Sequence, residues 1–195
     1  VGEVIQVWRP RELNTHETEW GFSCMSYEIS GALGIKMANP EKEVISFVGD
    51  GSYLLNNTDI YSSVITNNKL IIIVCDNGGF AVINRLQLFK GGNEYNNLLK
   101  SSNTPGLVDV DFAKHAESMG AKSEHVNSIS DLEEAFKRAK KSDVTYVISI
   151  KTHAYQWLEG SAFWDSPTLE IPTTKENKEA LKLYKEGKSK QRQGV

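Results

Sequence analysis

Cysteine is nearly absent from this 195-residue sequence. Cys24 and Cys75 are too few for a disulfide framework and fit a reducing compartment, the cytoplasm. Long apolar runs are missing too: the longest, residues 70–75, has the length of a buried strand, far short of the roughly 20 residues of a membrane span. There is no excess of positive charge. Lys and Arg number 22 against 25 Asp and Glu, a net charge of −3, which argues against the basic face of a nucleic-acid binder. No secretory leader is read at the start, and Val1 stands where an initiator methionine would, so the sequence is expected to be a piece of a longer chain. What is present is globular: 39% apolar and 24% charged residues, at a length suited to one ordinary α/β domain.

Residues 1–20 mix charge and aromatics without clear periodicity and read as a lead-in segment. Residues 21–165 read as the compact domain, and residues 166–195 as a tail, a solvated Lys-rich helix that then frays. From Tyr27, Ile29, Ala32, Leu33, Ile35 and Met37 keep a helical spacing that Asn39-Pro40 stops. Residues 44–48 form an apolar strand ended by Gly49-Asp50-Gly51, and a helix follows over 58–66. Residues 70–75 are apolar and β-branched almost throughout, the pattern of a strand buried on both faces. A short helix at 82–89 precedes a polar loop at 90–106, long enough to be a functional segment. A helix over 112–119 is capped by Asp109 or Asp111 and stopped by Gly120, and residues 121–126 read as a strand. Ser130 to Glu133 has the form of a capping box opening a helix to about Lys140, before a last strand at 145–151. Alternating helix and apolar strand predicts an α/β fold, flavodoxin-like: a doubly wound parallel sheet of right-handed βαβ units with helices on both faces.

In such sheets ligands sit beyond the carboxyl ends of the strands. Gly49-Asp50-Gly51 and Asp76-Asn77-Gly78-Gly79 both end strands, and Asp50 and Asn77 are one strand–helix–strand crossover apart. A carboxylate, an amide oxygen and a backbone carbonyl of the Gly-containing turn make an all-oxygen site of the kind Mg²⁺ prefers, with phosphate oxygens as further ligands. Gly49 and Gly51 allow close backbone approach, and Ser52 opens a segment whose N–H groups suit phosphate. Each piece alone is ordinary turn chemistry. Together, at this spacing, they point to a Mg²⁺–diphosphate site.

GDGS at 49–52 followed by DNGGF at 76–80 resembles the thiamine-diphosphate motif, and the preceding run FSCMSYEISGALGIKMANPEKEVISFVGDGS resembles acetolactate-synthase-like enzymes. The resemblance covers residues 20–151. It implies Asp50, Asn77 and the Gly79 carbonyl as Mg²⁺ ligands, with Gly51 and Ser52 against the diphosphate. It also implies Met25 as the apolar prop of the bent cofactor and the Ser23 carbonyl facing the aminopyrimidine amine. GFSCMSYEISGALG, with Glu28 where the wider superfamily has Gly, and THAYQWLEGSAFWD at 152–165 look like the trihydroxycyclohexanedione hydrolases of myo-inositol breakdown. That implies a ring-opening C–C hydrolase that takes a cyclic 1,2-dione to 5-deoxyglucuronate. The resemblance further implies an activating Glu on a pyrimidine-binding domain, supplied by the rest of the protein or another subunit, and a homo-oligomer, dimer or tetramer.

The carboxylates Glu17, Glu19 and Glu28 do not sit in the context expected of the activating acid, so no catalytic residue is assigned on this chain. His16 and His153 are candidate substrate contacts; His115 and His125 read as exposed, Cys24 as near the cofactor and Cys75 as packing. Tyr155, Trp157, Phe163 and Trp164 suit an edge or a partner surface. Other readings stay open. An acetolactate-synthase-like or 2-oxo-acid decarboxylase domain uses the same cofactor. A non-catalytic Mg²⁺-binding receiver domain would use Lys151 but wants a different acid pattern. A nicotinamide-binding domain lacks its G-x-G-x-x-G.

Overall fold

A computed structural model describes residues 2–19, 22–106, 108–158 and 168–191. The chain divides into two compact units, Val1–Gly79 with Val108–His153 and Phe80–Leu107 with Ala154–Val195. In the first, strands β1 (Ile45–Gly49), β2 (Ile71–Asp76), β3 (Lys122–Val126) and β4 (Tyr146–Lys151) form one parallel sheet in the order β1-β2-β4-β3. The chain steps from the edge strand β1 inward to β2, goes to the far edge for β3 and turns back to β4 between them. A right-handed crossover that reverses direction must cross the opposite face. Accordingly α2 (Tyr27–Ala38), α4 (Thr58–Ile65) and α6 (Phe112–Ser118) cover one face, and α7 (Ile129–Lys141) covers the other.

β2 shows why its sequence reads as unbroken apolar residues. Ile72 and Val74 join Ile29, Leu33, Ile60 and Phe112 in one core; Ile71 and Ile73 join Ala135, Ala139 and Ile148 in the other. Side chains two apart share a face, so a strand covered on both sides needs an apolar residue at every position. At the amino ends of the strands a small polar network is fully paired. Ser63 Oγ lies 2.7 Å from Thr145 Oγ1, which also accepts the Leu70 N–H at 3.1 Å.

Several local expectations are corrected. The lead-in contains a short helix, α1 (Gly2–Val7), too brief for apolar periodicity to reveal. Gly49-Asp50-Gly51 is more than a strand end, because Asp50 begins a further helix, α3 (Asp50–Leu55). The cap of α7 is Ser128 rather than Ser130: its hydroxyl accepts the Asp131 N–H at 3.1 Å. Of the two capping candidates for α6, Asp111 accepts the Lys114 N–H at 3.0 Å. His115 is half-buried, its Nδ1 2.9 Å from the hydroxyl of the fully buried Tyr53.

In the second unit, α5 (Ala81–Phe89) leads into the 90–106 loop, which holds a single turn of 3-10 helix, Leu99–Ser101. The tail is not merely solvated. In α8 (Lys175–Lys190) Asn177 and Ala180 are buried, and the Asn177 amide donates to the Gly91 carbonyl at 2.7 Å. Gly91 has φ +77, and a Cβ there would meet the Glu176 and Asn177 backbone at 2.6–2.7 Å, so only glycine fits this approach. Of the aromatic group, Tyr155 and Trp157 belong to this unit, while Phe163 and Trp164 lie outside the described residues. No described helix is long and apolar enough to cross a membrane.

Truncating Ile72→Ala removes a fully buried side chain from the first core. It is expected to cost about 2–5 kcal/mol, read as a lowered urea midpoint with unchanged slope.

Candidate functional site

Asp50 lies where β1 becomes α3, at the carboxyl end of the sheet, and its side chain is buried. The parallel neighbour β2 ends one residue before Asn77, in register with β1, so the turn after β2 comes up beside Asp50. Asp50 Oδ2 accepts the Gly79 N–H at 2.6 Å, and Oδ1 accepts the Asn77 N–H at 3.2 Å. The turn can meet the carboxylate because Gly78 and Gly79 take φ of +80 and +139, values that side-chain-bearing residues rarely adopt.

One terminus of the Asn77 side-chain amide lies 3.2 Å from Asp50 Oδ1 and 2.9 Å from the Gly79 carbonyl oxygen. With the NH₂ end turned inward it donates to both. With the oxygen turned inward, oxygens of three residues converge. Adjacent ligands of an octahedral Mg²⁺ with metal–oxygen bonds of about 2.1 Å stand about 3.0 Å apart. The donor set therefore suits a hard cation, and a half-turn of one amide separates the two arrangements. No cluster of three or more His, Cys, Asp or Glu that could hold a metal occurs among the described residues.

Burial pushes the Asp50 carboxyl above its ordinary value of 3.8, and the nearby Asp76 charge adds to the rise, while the Asn77 and Gly79 N–H groups oppose it. The space beside the turns is open: a Cβ built at Gly49 or Gly78 would meet nothing within 4 Å. Gly49 has φ −76, a conformation open to any residue, so the chain's own packing does not demand glycine there. Gly51 and Ser52 are buried in the first turn of α3.

The remaining expected residues are more scattered. Ser23 (φ 53) and Met25 (40% exposed) lie in the loop before α2, and neither hydrogen-bonds to Asp50, Asn77 or Gly79. In that loop the Glu19 carboxylate accepts the Phe22 and Cys24 N–H groups at 2.7 and 2.6 Å. His153 follows β4 at the same end of the sheet as Asn77, whereas His16 is an exposed residue of the lead-in. Sequence reasoning passed over Asp76, which precedes Asn77, is 6% exposed and makes a 2.6 Å ion pair with Lys151. Its signal was the Asp-x-Gly order, in which an Asp side chain accepts the N–H two residues on.

A strand-end carboxylate paired with the turn of the next strand, on a doubly wound sheet, defines a class. Residues 2–150 match the model of the thiamine pyrophosphate enzyme C-terminal TPP-binding domain, and the chain belongs to that family. It is thus a thiamine-diphosphate-binding domain, and the receiver and nicotinamide readings fall away. Relatives named 3D-(3,5/4)-trihydroxycyclohexane-1,2-dione hydrolase include one from Shouchella clausii, 40% identical over 84% of this chain and 25% of the relative. Others come from Bacillus licheniformis, 36% identical over 94% and 28%, and Bacillus subtilis, 37% identical over 84% and 25%. Among solved structures, a thiamine diphosphate-dependent 4-hydroxybenzoylformate decarboxylase from Rhodococcus jostii is 27% identical with a TM-score of 0.55, matching 66% of this chain and 23% of that one. The chain spans about a quarter of the length of the curated relatives it matches.

The raised Asp50 value sets a pH dependence. A carboxyl held above its unfolded value contributes stability that is full below 3.8 and lost as pH rises through the raised value. A cation held by Asp50 would take only the carboxylate and reverse that order. The rise in melting temperature on adding Mg²⁺ with thiamine diphosphate is therefore expected to be larger at neutral pH than in mild acid.

Proposed function

We propose that Asp50, Asn77 and the Gly79 carbonyl hold Mg²⁺, and that this ion anchors the diphosphate of thiamine diphosphate. The meeting of one Asn77 amide terminus with Asp50 Oδ1 and the Gly79 carbonyl, at 3.2 and 2.9 Å, carries this reading, the amide oxygen turning inward on a cation. Gly51 and Ser52 would contact the diphosphate, and the open space beside Gly49 would admit it. Met25 props the cofactor, and the Ser23 carbonyl faces its aminopyrimidine. Thiamine diphosphate, when bound, supplies the electron sink for carbon–carbon cleavage.

We infer further that the whole enzyme is a ring-opening hydrolase acting on a cyclic 1,2-dione, as the names of its relatives suggest. The bond between the two carbonyl carbons breaks; the hydroxyl of water goes to one carbon, giving a carboxylic acid, and its hydrogen to the other, giving an aldehyde. With trihydroxycyclohexanedione the product is 5-deoxyglucuronate. His153 and His16 are the substrate contacts proposed on this chain. A pyrimidine-binding domain outside this sequence supplies the activating Glu. Self-association as a dimer or tetramer draws support from the large apolar side chains exposed on α3 and α4: Leu54, Leu55, Tyr61 and Ile65. A cytoplasmic location draws support from the two free thiols. The second reading, 2-oxo-acid decarboxylation, draws on the decarboxylase among the solved structures.

Calorimetric titration with thiamine diphosphate in the presence of Mg²⁺ tests the anchor. Asp50→Ala is expected to abolish the heat of binding, and wild-type binding by that variant would refute the assignment. Gly49→Ala separates folding from ligand approach. The ligand-free chain is expected to keep its urea midpoint or gain about 0.4–1 kcal/mol, while cofactor affinity drops. Mass spectrometry of the full enzyme's products decides the substrate: a 5-deoxyglucuronate mass from the dione supports hydrolysis, and carbon dioxide from a 2-oxo acid supports the second reading.

A further inference from the structure

Lys151 takes no part in the cofactor site as described, yet it sits at its foundation. β2 and β4 run parallel with Asp76 opposite Lys151, and paired positions in a sheet direct their side chains to one face. Lys151 Nζ lies 2.6 Å from Asp76 Oδ2 and 2.7 Å from Asp109 Oδ1. The two contacts differ in weight. The Asp109 side chain is 83% exposed, and such a pair contributes little. The Asp76 side chain is 8% exposed, so removing its cation leaves a nearly buried charge uncompensated.

The other Asp76 oxygen, Oδ1, accepts the Gly78 N–H at 3.1 Å, and the Asp76 carbonyl accepts the Thr152 N–H at 2.7 Å. Gly78 is the left-handed residue that turns the chain back and brings the Gly79 N–H and carbonyl to Asp50. One carboxylate thus links a lysine at the end of β4 to the turn that presents Asn77 and Gly79.

We propose that Lys151 is a positioning residue for the metal-binding turn, acting through Asp76. Its ammonium holds Asp76 Oδ2, so that Oδ1 stays committed to the Gly78 N–H and the Asn77 and Gly79 oxygens remain facing Asp50. Without the cation, Asp76 is free to turn its charge toward the site, where it competes for the metal or repels the diphosphate. The consequence for metal binding rests on the Mg²⁺ reading above; the clamp on Gly78 does not.

Two measurements on the 195-residue chain separate these claims. The first is amide hydrogen exchange at Gly78 without ligand. Lys151→Met is expected to speed exchange at Gly78 relative to amides of β1 and β2, and Lys151→Arg to restore protection. Unchanged protection in Lys151→Met overturns the clamp. The second is Mn²⁺ affinity by electron paramagnetic resonance at saturating thiamine diphosphate. Lys151→Met is expected to weaken it about tenfold or more, as loss of an outer-shell partner does, and Lys151→Arg to recover most of the loss. A merely structural role would lower the ligand-free melting temperature and leave Mn²⁺ affinity unchanged, and that result overturns the proposal. Asp50→Ala is the control: if it binds Mn²⁺ as wild type does, the metal site itself is misassigned and positioning of metal ligands falls with it, while the Gly78 result stands by itself.

Discussion

A carboxylate buried at the end of one strand and held by the backbone of the next strand's turn is the constraint around which the first unit is arranged. Asp50 accepts N–H groups from Asn77 and Gly79 across 27 and 29 residues of sequence. Such bonds form only if β1 and β2 are adjacent and parallel, the β1–β2 crossover brings their carboxyl ends level, and the turn after β2 takes left-handed backbone values. The two cores secure the first two conditions and the glycines the third.

The same arrangement is electrostatically uneasy. Asp50 and Asp76 are both nearly buried, at one end of the sheet, and they repel each other. Backbone N–H groups compensate Asp50 in part, and Lys151 compensates Asp76. A folded protein accepts such unfavourable charge where a ligand will later neutralise it, at a cost in stability before the ligand arrives. At the opposite end the buried polar groups are uncharged, Ser63, Thr145 and the Leu70 amide satisfying one another, and the Lys122–Asp143 ion pair there is exposed. The asymmetry between the two ends agrees with the rule that open parallel sheets bind ligands at the carboxyl end.

The second unit carries its own polar assembly. Asn84 and Tyr155 donate to the Glu94 carboxylate at 2.9 and 2.6 Å, holding its carboxyl below the usual range. The Arg85 guanidinium lies over the Trp157 ring at 4.4 Å. Glu94 and Tyr155 come from the long polar loop and from the aromatic stretch after the last strand. Neither segment has a periodic signal, and their partnership depends on contacts far apart in sequence. That is why the sequence shows two unconnected stretches where the structure has one cluster.

Apolar spacing was enough to read the order of the strands and the longer helices, because burial on two faces imposes an unbroken run on β2 and burial on one face a helical stripe on α2. The DNGG turn was legible for a related reason: left-handed backbone at Gly78 and Gly79 restricts the residue types allowed there. Helices α1 and α3 were illegible, since a six-residue helix is too short to show a period. The Asp76–Lys151 pair was equally hidden, because nothing along the chain says which strand end will stand beside which. Sequence by itself thus determined the parallel α/β class and the family. Only the tertiary structure decided the order β1-β2-β4-β3, and with it the placing of Lys151 opposite Asp76, since strand pairing is selected by the packing of the whole sheet and not by local preference.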